Sequence, residues 1–550
     1  MDKNYHDNEE LYQRYSHAKG QWYLWRLIYD EAYSYAIPDR NPWPEGAWDG
    51  IKKNITVYDI TACNSARRLV SRLHSALMPT DMQWFELEAG DVVIDPNQKQ
   101  VLDEQLQYFS SVIFKALSDS NFALSSYEML QDLIIGTGAM MMLEHPDEAG
   151  VKCKTIAMNR VFPEGDAWDE IRTVWREFLD VDSRDINGIW PNAQLTAAME
   201  MKMKDDECCK FSFVEGVLWD PDKGDYRHVV FEQDSHDIIL DLRTPSSPWI
   251  VARWSKTSRE VGGRGPVIEA LPTIRSLNRL VEDILANVAL SACPPWMASS
   301  DGVFNPYLFN IEPNKIIPVS RASMGDLPLK KLDVSGDVNL GNLEINDLRN
   351  MIKDCMFDNP VRPVTAPEQT ATEIMIRQQQ FIEEIGPAFG RLSIELLPKV
   401  INRMIYILQK KGKLPSNLKV DGKTVTLRFK SPLLRGQNIQ EIKNLQNYVQ
   451  IMQSVVGPQM ALGSINLDLL PTWLSDNLDV DETLIKSPLE IQQLVQAAQQ
   501  VTQPQAPNPA QGTTQMLANQ AAIQGASPNA GQATGPNPSL PQPQQAGMNQ

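Results

Sequence analysis

Apolar residues recur through the middle of the chain at helical spacing. Val267, Leu271, Ile274, Leu277, Val281, Ile284 and Val288 are separated by threes and fours, which predicts one long amphipathic helix. Pro266 opens it, and Pro294-Pro295 closes it because proline lacks the N–H that a continuing helix needs. At a rise of about 1.5 Å per residue this helix would span roughly 40 Å. A second helical pattern runs from Leu343 to Phe357, with Leu348, Ile352 and Cys355 on one face, and stops at Asp358-Asn359-Pro360. A third begins at the capping-box pattern Thr370-Ala371-Thr372-Glu373. It continues through Phe381, Ile385, Leu392, Leu396, Val400, Met404 and Ile407 to Gly412. Pro387 and Pro398 predict kinks within it.

Upstream, Glu9 to Ala36 reads as a helix whose stripe holds Leu11, Tyr15, Ala18, Trp22, Trp25, Ile28 and Tyr33. Val57 to Met78 reads as another, burying Ile60, Cys63, Ala66, Val70, Leu73 and Leu77. Arg67, Arg68 and Arg72 are expected on its solvated face, the alternative being an acidic face of a neighbouring subunit. A strand at Trp84 to Leu87 and helices from Gln98 to Leu117 and Ser125 to Ile135 follow. Gly136-Thr137-Gly138 then opens a β-rich region. Its strands are expected at Ala139 to Leu143, Val174 to Asp180, Phe211 to Leu218, His228 to Glu232 and Ile250 to Trp254, with a helical piece near Gln194 to Lys204. Beyond Gly412 the pattern predicts strands around Val420 to Phe429 and helices near Gln440 to Val455 and Leu467 to Leu478. The fold class is mixed α+β.

Composition narrows what such a chain can do. The 550 residues carry a formal net charge of −18, whereas a protein that grips phosphates usually presents a basic footprint. The six cysteines are scattered without CxxC spacing, so neither a disulfide framework nor a zinc site is indicated. Met1 to Glu10 is too polar and acidic for a signal peptide, and no run approaches the roughly 18 apolar residues of a membrane helix. From Ile491 to Gln550 there is no Asp, Glu, Lys or Arg, which predicts a disordered tail. Gly422-Lys423-Thr424 ends like a phosphate-binding loop, but Asn417 stands where its first glycine belongs. The Gly263-Arg264-Gly265 turn runs into Pro266, which removes a phosphate donor. Asp220-Pro221-Asp222-Lys223-Gly224-Asp225 departs from a calcium loop, with Phe231 at the bidentate-glutamate position, and reads as a hairpin turn. The six histidines are dispersed; His74 reads as a satisfied or surface group. No catalytic, cofactor or metal residue stands out, so the chain does not read as an enzyme.

The order helix, small β insert, helix, proline loop, kinked helix resembles the portal, or head-to-tail connector, family of short-tailed bacteriophages. The residues that carry it are Gly263-Arg264-Gly265-Pro266, Leu271-Pro272, Leu277-Asn278, Pro294-Pro295, Thr370 to Glu373, Gly386-Pro387, Arg391-Leu392 and Glu395. Met78-Pro79 to Trp84-Phe85 and Gly136-Thr137-Gly138 fit as well, and the likeness extends to about Leu489.

The resemblance implies an N-terminal wing (1–261), a first stem helix (262–292), a clip (293–341), a second stem helix (342–357) and a tunnel loop (358–369). A long kinked wing and crown helix (370–412), a C-terminal wing and crown (413–490) and the tail (491–550) follow. It implies stem contacts between subunits through Leu271, Ile274, Leu277, Val281, Ile284 and Val288, and a channel-facing loop holding Asp358, Arg362, Glu368 and Gln369. Clip residues Trp296, Phe304, Tyr307 and Phe309 would dock partners. The implied assembly is a ring of twelve in the virion, made in the host cytoplasm. It conducts double-stranded DNA without sequence preference and meets terminase, a tail adaptor, the major capsid protein and scaffolding protein. The readings it competes with are another capsid or tail scaffold, and a packaging enzyme.

Overall fold

The computed structural model describes residues 3–43, 53, 57–90, 96–145, 150–206, 208–292, 296–298, 329–331, 338–358, 371–416, 418, 420, 425–430, 432–457, 470 and 473–474. The chain divides into two compact units, Met1–Asn447 and Tyr448–Gln550.

In chain order, α1 (Lys3–Tyr23) and α2 (Arg26–Ala36) split what the aromatic stripe predicts as one helix. The break at Leu24-Trp25 sets the buried Trp22 and Tyr29 edge to face with ring centroids 5.6 Å apart, a favoured geometry for aromatic pairs. Helix α3 (Thr61–Leu77) buries Cys63, Ala66, Leu69, Val70, Leu73 and Leu77. Ile60, expected in that stripe, precedes the helix and is exposed. There follow β1 (Phe85–Ala89), α4 (Pro96–Ser118), α5 (Phe122–Leu133), β2 (Thr137–Glu144), β3 (Val151–Thr155), β4 (Val161–Gly165) and β5 (Ile171–Asp182). Then come α6 (Ile186–Ile189), α7 (Ala197–Asp205), β6 (Lys210–Asp220), β7 (Asp225–Glu232), β8 (Ile238–Thr244), β9 (Trp249–Arg253) and α8 (Pro266–Ala292). The rest comprises β10 (Trp296–Ala298), β11 (Leu329–Lys331), α9 (Val338–Cys355), α10 (Ala371–Glu395), α11 (Leu397–Lys410), β12 (Val425–Phe429) and α12 (Pro432–Val456). In the second unit the described residues are the end of α12, Gly457 after it, and the helical Leu470, Trp473 and Leu474.

Strands β4-β5-β6-β7-β8 form an antiparallel meander, and β3-β2-β9 a smaller antiparallel sheet. Strands β3, β4 and β8 and helix α6 are additions to the sequence reading. Pro163 lies in β4, the edge of its sheet, where a missing N–H is tolerated. The β6–β7 turn is the hairpin expected at Asp220 to Asp225, with Gly224 at φ +68°. Arg243 holds two of its three carboxylates, at 2.9 Å from Asp220 and 2.6 Å from Asp225. The tail (491–550) and the capping residue Thr370 lie outside the described residues.

The core centres on β2, which is buried from Thr137 to Met142. Helices α5 and α11 both pack on it. The third predicted helix is broken rather than bent. Leu396 separates α10 from α11, Pro398 sits in the first turn of α11, where its absent N–H costs nothing, and Pro387 lies inside α10. Gly412, at φ +70°, ends α11, and the N–H of Lys413 reaches back to the carbonyl of Leu408 at 2.9 Å. From α11, Arg403 donates to the carbonyls of Met142 and Ser246, each at 3.0 Å. Burial pulls its guanidinium down to about 10.

Candidate functional site: a long helix pair on a glycine junction

Long helix α8 starts where three segments meet backbone to backbone. A Cβ on Gly265 would lie 2.1 Å from the carbonyl oxygen of Ile134, and one on Gly136 would lie 2.1 Å from that of Gly263. Only glycine permits such an approach. The N–H groups of Gly265 and Val267 donate to the carbonyls of Ile135 and Ile134, at 2.9 and 3.3 Å. The carbonyls left unpaired at the end of α5 thus satisfy N–H groups left unpaired at the start of α8. Thr137 Oγ1 accepts from the N–H of Gly263 at 2.8 Å, and the Tyr29 hydroxyl donates to the carbonyl of Gly263 at 2.6 Å. Trp25 covers Gly262, and the Arg264 guanidinium lies over the Trp25 ring, 5.1 Å from its centroid, while pairing with Glu260. Because its N–H groups are engaged, this turn is no phosphate cradle. It is the root of a helix.

From that root α8 packs on α9, α2 and α3. Arg275 pairs with Glu31 of α2 at 2.7 Å. The segment before α3 straps across the helix pair. Asn278, buried on α8, accepts the N–H of Tyr58 at 2.7 Å, and the Tyr58 hydroxyl donates to Glu282 at 3.1 Å. Asp59 accepts from Arg349 of α9 at 2.7 Å and caps the N–H of Thr61 at 2.8 Å. Burial pushes the Asp59 carboxyl up, but the hydrogen bonds from Thr61 and Arg349 outweigh it and hold the group below the usual carboxylate range.

The far end of α9 is pinned to α3. Phe357 turns at φ +53°, and its carbonyl accepts from Arg72 at 3.0 Å. Asp358 is buried and accepts from Ser65 at 2.8 Å and Arg68 at 3.2 Å. At the near end, β10 and β11 pair antiparallel, Trp296 opposite Lys331, so α8 leads into a two-stranded ribbon and the chain returns from it towards α9. On the opposite side of the junction, the buried Arg253 of β9 binds Glu395 of α10 at 2.9 Å, and Arg391 adds a bond to the same carboxylate at 3.2 Å.

A model of the family described as "Bacteriophage head to tail connecting protein" matches residues 8–485. The chain belongs to this family. Among curated relatives, the "Portal protein" of Enterobacteria phage T3 is 22% identical over 441 residues, covering 78% of this chain and 79% of the relative. The "Portal protein" of Escherichia phage T7 is 21% identical over 479 residues, covering 85% and 86%. The "Portal protein" of Salmonella phage epsilon15 is 22% identical over 504 residues, covering 86% of each. Among solved structures, "Neck of empty GTA particle computed with C6 symmetry" matches at 12% identity and TM-score 0.34, over 73% of this chain and 90% of that chain.

Within this connector-family chain, the residues singled out from the sequence separate into three groups. Leu271, Ile274 and Leu277 are 4%, 4% and 2% exposed, covered by the chain's own core, which removes them as surface for another subunit. Val281 and Ile284 are half-buried against that core, and Val288 is 48% exposed. Beside Val288, Leu285 is 53% exposed, a residue that the threes-and-fours seam passes over. Asp358, expected to face a channel, is instead the buried anchor of α9. Arg68 and Arg72 reach that anchor, yet Arg68 stays 59% exposed and Arg67, which pairs with Asp39 at 3.7 Å, is exposed too, so the solvated face expected of them holds for Arg67 and Arg68, while Arg72 is half-buried. On α9 the buried face is Ile345 and Ile352, with Leu348 half-buried, followed by the buried Met356 just past its end, and Cys355 is exposed. His74 is satisfied, 3.1 Å from the Ser126 hydroxyl. Trp296 lies in β10, whereas Phe304, Tyr307, Phe309, Arg362, Glu368 and Gln369 lie outside the described residues.

Tyr29 and Arg253 were not singled out by the sequence, and Thr137 only as the middle of Gly136-Thr137-Gly138. The signal for Thr137 was present, since it stands between two glycines; Gly263, which Tyr29 binds, and Glu395, which Arg253 binds, lie more than a hundred residues away along the chain.

Proposed function

We propose that the chain is a portal subunit. Copies close into a ring at the capsid vertex, and double-stranded DNA passes through the central channel during packaging and ejection. The observation that carries this reading is the family match across residues 8–485, which takes in the helix pair and most of the chain before and after it. Helices α8 and α9 are the stem, and the β10–β11 ribbon with the residues between its strands belongs to the clip. Residues 1–261 form the wing, 358–369 the tunnel loop, and 370 onward the wing and crown. Clip residues Trp296, Phe304, Tyr307 and Phe309 dock the terminase and then the tail adaptor, and the outer surface meets capsid and scaffolding proteins.

The chemistry asked of such a subunit is mechanical. The glycine junction sets the angle of α8, the strap at Tyr58 and Asp59 locks α9 beside it, and the Asp358 anchor fixes where the tunnel loop leaves the stem. Duplex DNA carries one negative charge per about 1.7 Å, so a densely cationic lumen would hold it and oppose sliding. A chain of net charge −18 avoids that, and contact is confined to the loop that holds Arg362. Electron micrographs of the purified protein test the reading. Rings with an open channel, formed without nucleotide or metal, are expected; a chain that remains monomeric, or that turns over ATP, overturns it.

A further inference from the structure

Between the two larger sheets lies a cavity of about 230 Å³ whose lining includes Lys154 of β3, Arg160 in the turn before β4, and Arg176, Glu177 and Phe178 of β5. In so acidic a chain, three cations around one cavity need an explanation, because like charges gathered together repel. Their partners do not supply it. Among the described residues, neither Lys154 nor Arg160 has an ion pair or hydrogen bond through its side chain. Arg176 stacks on Phe178, 3.9 Å from the ring centroid, and its nearest carboxylate, Glu215, is 3.9 Å away. Glu215 is already engaged with His228 at 2.8 Å, and its second oxygen has no hydrogen-bond partner. Glu177, the one acid in the lining, is taken by Tyr15 and Lys19. Burial pulls the Arg176 guanidinium below its ordinary range; Glu215 opposes that, and the charge of Arg160 adds to it.

We propose that this cavity is a binding site for a phosphate group, held by Lys154, Arg160 and Arg176. Guanidinium forks match the oxygens of a phosphate, and an anion seated among the three cations relieves their mutual repulsion. The phosphate comes either from the free anion or from a nucleic acid backbone, and the test separates the two.

The full-length protein is melted in potassium phosphate and in potassium chloride at matched ionic strength, and a short duplex of arbitrary sequence is titrated separately. Phosphate should raise the midpoint above chloride, by ligand linkage. The exposed pair Lys154→Ala/Arg160→Ala should weaken phosphate binding about tenfold or more, and Lys223→Ala, at the remote β6–β7 turn, should leave it unchanged. A single Arg160→Gln variant repeats the test with one side chain altered, should the pair fold poorly. Duplex binding that falls in the same variants identifies the backbone as the source, and a phosphate response alone identifies the free anion. Equal midpoints in phosphate and chloride, with duplex binding indifferent to the variants, overturn the site.

Discussion

The two halves of α8 carry the same periodicity and meet opposite fates. From Val267 to Leu277 the seam is buried by α2, α3, α9 and the glycine junction; from Val281 to Val288 it opens until Val288, like its neighbour Leu285 beside the seam, is half exposed. A seam at regular spacing therefore records that a helix has an apolar face, and the neighbours decide what covers it. The near half is core. The far half, where Leu285 and Val288 are exposed, is where we place the contact with other copies.

Breaking the near half should have the largest effect on folding. Ile274→Asp puts a charge where the chain itself excludes water, and we expect a loss of about 4 kcal/mol or more in urea melts, or no soluble product. This differs from the expectation for an interface residue, in which the same change would spare the monomer. Gly265→Ala attacks the root instead. The added methyl meets the Ile134 carbonyl, and displacing either backbone should cost about 3 kcal/mol; melting as high as the parent would show that the junction is not tight.

The strap gives a smaller effect with a pH signature. Asp59 has its pKa depressed in the folded chain, so the stability it contributes is present above the unfolded carboxylate value of about 4 and is lost as pH falls through the folded value. Arg349→Ala should cost about 2 kcal/mol near neutrality and should flatten the stability profile on the acid side, as read by denaturant melts at stepped pH. An unchanged acid limb would remove Asp59 from the account.

Legibility in the sequence follows the same division. Helix α8 was readable to its ends because Pro266 and Pro294-Pro295 bracket an unbroken seam. The break at Leu24-Trp25 was not, because the aromatic stripe runs straight through it and only the packing of Trp22 on Tyr29 needs the turn. Strand β4 was hidden by Pro163, which argues against a strand unless its edge position is known. Nor could spacing show that Asp358 faces inward, since its partners Ser65 and Arg68 arrive from nearly three hundred residues upstream. The junction was half legible: Gly263-Arg264-Gly265 read as a turn leading into a helix, and the segments that approach each other there emerged only with the fold.

The central claim is that the far half of α8 joins subunits into a ring. Its most direct test is the mass and the electron micrographs of Leu285→Asp/Val288→Asp beside the parent. The account predicts open rings for the parent. For the variant it predicts monomers whose melting stays within about 0.5 kcal/mol of the parent subunit, as exposed substitutions usually do. Rings of parental size from the variant would contradict it.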